Sequence, residues 1–125
     1  GGYAINIIAE SASLSVRGRD RMGYHKGMEH DKTSDELKPS PGGRYFCLDC
    51  GSPLWAQDPR WAQWLYPYAS SIDTLLPSPV EIVHIMLDFK AAWVEVPSGK
   101  MHKHFNRYPD ESMLDWHKRH GLYLE

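Results

Sequence analysis

The chain has 125 residues, with 14 Lys and Arg against 16 Asp and Glu for a formal charge of −2, and 42% of it is hydrophobic; one domain of that size buries a working core without obligatory staples. The near-neutral balance supplies neither a general basic field for nucleic acid nor a strongly acidic tail, which argues against nucleic acid as a partner. No apolar run approaches the ~18 residues that span a bilayer and no signal-like segment opens the sequence, so no membrane partner is expected and a cytoplasmic, reducing setting is.

Gly1-Gly2 stands where a methionine would, an abruptness that suggests a trimmed start. Tyr3 to Ala9 reads as a strand, because β-branched residues recur at alternate positions. Leu14 to Gly18 reads as a second short strand, with Gly18 and Asp20 turning the chain toward Met22 to His25. Gly27 to Gly43 is rich in charge, Ser, Pro and Gly and is expected to be an exposed, mobile loop.

Cys47-Leu48-Asp49-Cys50-Gly51 follows, and a Cys-x-x-Cys turn closed by glycine is how zinc ribbons present two thiolates to a tetrahedral metal. The glycine lets the backbone turn with positive φ and aim amide groups at sulfur. These are the chain's 2 cysteines, however, and a closed zinc site wants four ligands. A redox pair, a disulfide and two inert thiols are the competing readings. A thioredoxin-like pair belongs at the start of a helix, whereas this one lies between Tyr45-Phe46 and Leu54-Trp55, which read as strands, and Pro53 opposes a helix running on from Cys50.

Trp55, Trp61, Trp64, Tyr66 and Tyr68 form an aromatic cluster, either packing over a small β core or a surface on which a ligand stacks. Leu75 to Pro79 is an extended loop fixed by two prolines. Glu81 to Leu87 and Ala91 to Val96 read as a strand pair around Asp88-Phe89-Lys90. Pro109 to Leu122 reads as a helix, with Asp110 and Glu111 at its positive end, Lys118, Arg119 and His120 at its negative end, and Gly121 as the C′ stop. Met113, Trp116, His117 and His120 share one side of it.

His102-x-His104 would place two imidazoles on one face of an extended segment and His117-x-x-His120 two on one side of a helical turn, so either pair could chelate alongside Cys47 and Cys50. Solvated or helix-end histidines are the plainer reading. His84, inside an apolar strand, is expected to be a hydrogen-bonded, partly buried side chain. Lys100, Lys103, Arg107, Lys118 and Arg119 read as a solvated face. The sequence holds no G-x-S-x-G elbow, P-loop, G-x-G-x-x-G or H-E-x-x-H, and no carboxylate pair is singled out as acid and base.

Arg44-Tyr45-Phe46-Cys47-Leu48-Asp49-Cys50-Gly51-Ser52-Pro53-Leu54-Trp55, then Ala69-Ser70-Ser71-Ile72-Asp73, His84-Ile85, Lys90-Ala91-Ala92-Trp93 and Tyr108-Pro109 follow one another in an order that resembles a known family. It is the glutathione-dependent formaldehyde-activating enzyme family, which includes the centromere protein V-like domains, and the likeness looks closest to fungal members. The resemblance implies a mainly β, Mss4-like fold of stacked antiparallel sheets around zinc with a short C-terminal helix. It spans residues 1–125 as a single domain, N-terminally incomplete relative to the family.

Members of that family carry a Cys-x-Cys motif and a further cysteine loop upstream of the segment matched by Gly1 to Ile8, and neither is present here. The resemblance therefore implies that Cys47 and Cys50 are structural zinc ligands. It carries no catalytic ligand onto any residue of this chain, so its catalytic residues stay unassigned. The implied activity is that of a carbon–sulfur lyase acting on an adduct of a thiol such as glutathione with an aldehyde, with zinc as Lewis acid or thiolate activator. The Trp55 to Tyr68 cluster and the Gly27 to Gly43 segment would wall its groove. The alternative function is a non-catalytic zinc-binding or scaffold module, a homodimer pooling two Cys47/Cys50 pairs into one Cys₄ site. A third is a metal-free fold that keeps the pair as a relic.

Overall fold

The computed structural model describes residues 2–124. It is mainly β with one short helix near the C-terminus, the expected class. Two compact units divide it: Ile5–Leu75, and Leu76 onward together with the residues before Ile5.

The first unit is a five-stranded antiparallel sheet. Its strands are β1 (Ala9–Glu10), β2 (Met22–His30), β3 (Leu37–Cys47), β4 (Pro53–Gln57) and β5 (Trp64–Pro67), arranged β1-β5-β4-β3-β2. The rim expected as a strand over Tyr3 to Ala9 is extended, but only Ala9 and Glu10 make a regular ladder with Leu65 and Trp64. Before them the chain follows β5 through an Asn6–Tyr68 bridge and single bonds such as Ile7 N–H to the Pro67 carbonyl at 2.9 Å.

Leu14 to Gly18 forms no strand. Gly18 has φ 69°, and a single 3₁₀ turn over Arg19–Arg21 carries the chain straight into β2, so the segment finds no ladder partner.

The expected loop from Gly27 to Gly43 is also overturned. β2 runs through Gly27 to His30 and β3 begins at Leu37, so strand residues flank a turn over residues 31–36. Asp31 closes that turn: its carboxylate accepts from the Thr33 N–H (2.8 Å), the Thr33 hydroxyl (2.6 Å) and Lys38 (2.6 Å), which hold its carboxyl well below the usual carboxylate range. Pro39 and Pro41 are tolerated within β3 because β4 reaches only as far as Gly43, leaving residues 37–42 with β2 as their sole neighbour strand. The β2–β3 register slips between Lys26 and Met28, where the Pro/Gly-rich stretch bulges.

Tyr24, Tyr45, Trp55 and Pro67 are successive cross-strand partners over β2, β3, β4 and β5. Tyr45 lies 4.9 Å from Tyr24 and stacks on Trp55 at 4.9 Å, so Trp55 packs within the sheet, whereas Trp61 of the same aromatic cluster is exposed. Leu65 and Tyr68 are the buried apolar side chains among the described residues.

The second unit holds β6 (Ile82–His84), β7 (His102–His104) and α1 (Met113–Arg119). The strand pair expected between Glu81–Leu87 and Ala91–Val96 does not form. Met86 takes a left-handed φ of 58° and Leu87–Phe89 makes a 3₁₀ turn that breaks the run, and β6 pairs instead, in parallel, with β7. Residues 91–96 hold a turn, with Val94 N–H bonded to the Ala91 carbonyl at 3.0 Å.

α1 is shorter than the sequence suggests because Ser112, not Pro109, caps it: its hydroxyl accepts from the Asp115 N–H at 3.0 Å. Gly121, at φ 66°, is the C′ residue, and Leu122 N–H closes back on the His117 carbonyl at 2.8 Å. Glu81 ties the helix down, accepting from the Trp116 indole at 2.9 Å with Arg119 at 3.5 Å, while Arg119 also pairs with Glu111 at 2.7 Å.

The Trp116 hydrogen bond is the main reason the Glu81 carboxyl sits below its ordinary value, and the Arg119 hydrogen bond does the same for Glu111. Carboxylates depressed in the folded state stabilise fully above their unfolded pKa and lose that contribution as pH falls through the folded value. Acidification from about pH 5 to about pH 3 is therefore expected to undock α1. The Trp116 indole N–H resonance reads this directly, and its persistence unchanged at pH 3 in a still-folded protein would refute the coupling.

Candidate functional site

Cys47 ends β3 and Cys50 sits in the turn before β4. The turn is closed at both ends: Cys47 N–H donates to the Ser52 carbonyl at 2.9 Å and Gly51 N–H to the Cys47 carbonyl at 2.8 Å. Gly51 has φ 73°, the conformation expected of the residue after the second cysteine. An Arg21–Asp49 ion pair and the Leu48 N–H to Arg21 carbonyl bond (2.9 Å) pin the loop to the start of β2.

Both thiols are free; Cys47 is half-buried and Cys50 exposed. The Cys50 thiol donates to the Ser52 hydroxyl at 3.2 Å, and the same hydroxyl, turned round, donates to the thiolate. That hydrogen bond is the first cause of a lowered Cys50 pKa, followed by the Ser52 backbone and Cys47, with Asp49 opposing. Ser52 is a partner not foreseen from the sequence, although its place two residues past Cys50 is the signal.

The donor chemistry fits a soft or borderline metal: two cysteine thiols on one preformed turn, that of Cys50 eased toward ionisation. It is half of a tetrahedral set. Among the described residues, no three His, Cys, Asp or Glu side chains are grouped to hold an ion.

A groove of about 350 Å³ opens beside the loop, lined by Val16, Arg17, Arg21, Met22, Cys47 and Trp55 among others. Of the aromatic cluster, Trp55 reaches this wall. Its indole Nε1 is buried without a hydrogen-bond partner. A second groove of about 340 Å³ is bounded by Tyr24, Tyr45, Gln57 and Pro59.

The chain is 43% identical over 122 residues to a protein of Halomonas elongata named "Putative glutathione-dependent formaldehyde-activating enzyme", a match covering 98% of this chain and 74% of that one. The chain belongs to the glutathione-dependent formaldehyde-activating enzyme family. The fungal affinity read from the sequence gains no support from this relative. No family model matches the chain, and no solved structure matches it.

In this family member the remaining candidates lie in the unit from Leu76 onward. His117 Nδ1 donates to the Met113 carbonyl at 2.7 Å, and His120 packs on Trp116 with ring centroids 4.4 Å apart, so this pair braces the helix and does not converge on a common point. His102 and His104 share β7, and His84 on β6 joins them, half-buried and hydrogen-bonded to His102. The basic residues near the end are largely engaged: Arg107 pairs with Asp88 at 3.0 Å, Arg119 with Glu111, and Lys118 lies over Tyr123 at 5.4 Å. No helix is long and apolar enough to cross a membrane among the described residues.

Proposed function

We propose that this family member binds zinc through Cys47 and Cys50 and serves a carbon–sulfur lyase reaction on adducts between a small thiol, such as glutathione, and an aldehyde, the bond cleavage itself needing zinc ligands that these 125 residues do not supply. The 43% identity to the Halomonas elongata protein, over 98% of this chain and 74% of that one, carries the reading. The eased thiolate of Cys50 and its rigid turn support the metal part. When bound there, zinc holds the β3–β4 turn closed and neutralises two thiolate charges.

The groove beside Cys47 supports the substrate part. Glutathione is a dianion at its carboxylates, and Arg17 and Arg21 line this groove. Arg21 is held by Asp49, whereas Arg17 makes no ion pair among the described residues and is the cation left for a carboxylate. No residue of the chain is assigned the proton transfers or the carbon–sulfur bond cleavage.

A second reading is favoured by the incompleteness of the thiolate set: two copies pooling Cys47 and Cys50 into one Cys₄ zinc at a two-fold axis, as a non-catalytic module. Native mass spectrometry of the protein and of Cys47→Ser/Cys50→Ser separates the readings. One zinc per dimer that the double variant loses, with the dimer lost too, supports the shared site. A monomer that loses one zinc in the variant supports an intrachain site completed by water or substrate thiol. Identical zinc content in both proteins overturns the cysteine assignment. Because catalytic zinc keeps three protein ligands and an open position, we expect no glutathione-dependent formaldehyde turnover from these 125 residues above a metal-free control; measured turnover would refute this.

A further inference from the structure

β6 and β7 run parallel with His84 opposite His104 and Ile82 opposite His102. Side chains two apart on a strand share a face, so His84, His102 and His104 stand together on one face of this pair. The His84 Nε2 and His102 Nδ1 atoms are 3.0 Å apart, and the His84 and His104 rings meet edge to face at 5.2 Å. We propose that His84 and His102, with His104 beside them, form a binding site for a borderline divalent transition metal such as copper, nickel or zinc, separate in its ligands from the cysteine loop.

Two observations carry it. Two imidazole nitrogens bound to one ion at about 2.0–2.1 Å in tetrahedral geometry lie roughly 3.3 Å apart, and the His84 and His102 nitrogens, which share one proton across 3.0 Å, come within a few tenths of an ångström of that separation, so an entering ion takes the place of that proton, which moves to the ring's other nitrogen or to solvent. His104 Nε2 faces the Pro97 carbonyl at 2.7 Å, and a carbonyl only accepts, so Nε2 carries the proton and Nδ1 keeps its lone pair. An imidazole anchored by its other nitrogen on a backbone carbonyl is the usual outer-shell support of a metal-binding histidine.

His84 and His102 stand near chelating separation; no third donor is grouped with them among the described residues, and His104 would join only by a shift of its ring about the Pro97 hydrogen bond. Imidazole donors suit copper, nickel and zinc, and copper stands highest in affinity.

Cu²⁺ titration of the Cys47→Ser/Cys50→Ser protein, followed by electron paramagnetic resonance, tests the site without thiolate interference. One tightly bound copper per chain with hyperfine coupling to at least two nitrogens is expected. His84→Gln and His102→Gln should each weaken it more than about tenfold, since even outer-shell partners cost that much, and His117→Gln should leave it unchanged. Unaltered binding in His84→Gln/His102→Gln would overturn the site. If those variants fail to fold, paramagnetic broadening in the cysteine-substituted protein decides: loss of the His84, His102 and His104 ring signals supports it, and broadening centred on His117 and His120 refutes it.

Discussion

Leu65→Ala is expected to cost the Ile5–Leu75 unit about 2–5 kcal/mol, a large share of the 5–15 kcal/mol that holds a typical domain folded. Leu65 is 3% exposed, sits in β5 between β1 and β4, and pairs directly with Ala9 on the short rim strand. With Tyr68 as the other buried apolar side chain among the described residues, few neighbours can collapse into the cavity a truncated side chain leaves. Urea denaturation of the variant, beside Leu75→Ala as a control at a 95% exposed position, reads the difference. A loss below about 1 kcal/mol at Leu65, or an equal loss at Leu75, would show that the core lies elsewhere.

The second large effect is expected from metal removal. If zinc binds the folded Cys47–Cys50 turn and not the unfolded chain, saturation at a hundredfold over Kd adds about 2.7 kcal/mol. For a unit of this size that corresponds to roughly 10–20 °C in Tm. A chelator should remove that increment from the unsubstituted protein and have no effect on Tm in Cys50→Ser. Ser52→Ala should diminish the increment at neutral pH, because the hydroxyl that eases ionisation of Cys50 is gone. Melting curves indifferent to chelator would instead leave the cysteine pair as a metal-free relic.

The sequence was most legible where short-range chemistry decides the backbone. Gly51 takes the left-handed turn that follows from a glycine after the second cysteine, and Gly121 stops the helix as its position suggests. The strands on either side of the cysteine turn, the β-rich class and the half-buried, hydrogen-bonded state of His84 follow equally from local pattern. Where the readings failed, a distant partner overrode a local cue. Gly27 to Gly43 has loop composition, yet β2 and β3 supply each other's hydrogen bonds through it, and the lack of a β4 pairing before Gly43 accommodates the prolines. Ala91 to Val96 has strand composition, yet β6 pairs instead with His102–His104, a partner that alternation alone cannot nominate.

For the site the division is similar. Sequence by itself determined the family and singled out two cysteines at Cys-x-x-Cys spacing on a tight turn, because spacing and turn conformation are properties of consecutive residues. Tertiary structure alone decided which side chains stand around them: Arg21 fixing Asp49, the arginine-lined groove beside Cys47, and the meeting of His84 with two histidines 18 and 20 positions further along. Such encounters depend on which strands pair and in what register, and pairing is settled by the burial and hydrogen bonding of the whole sheet, not by any one segment's own sequence.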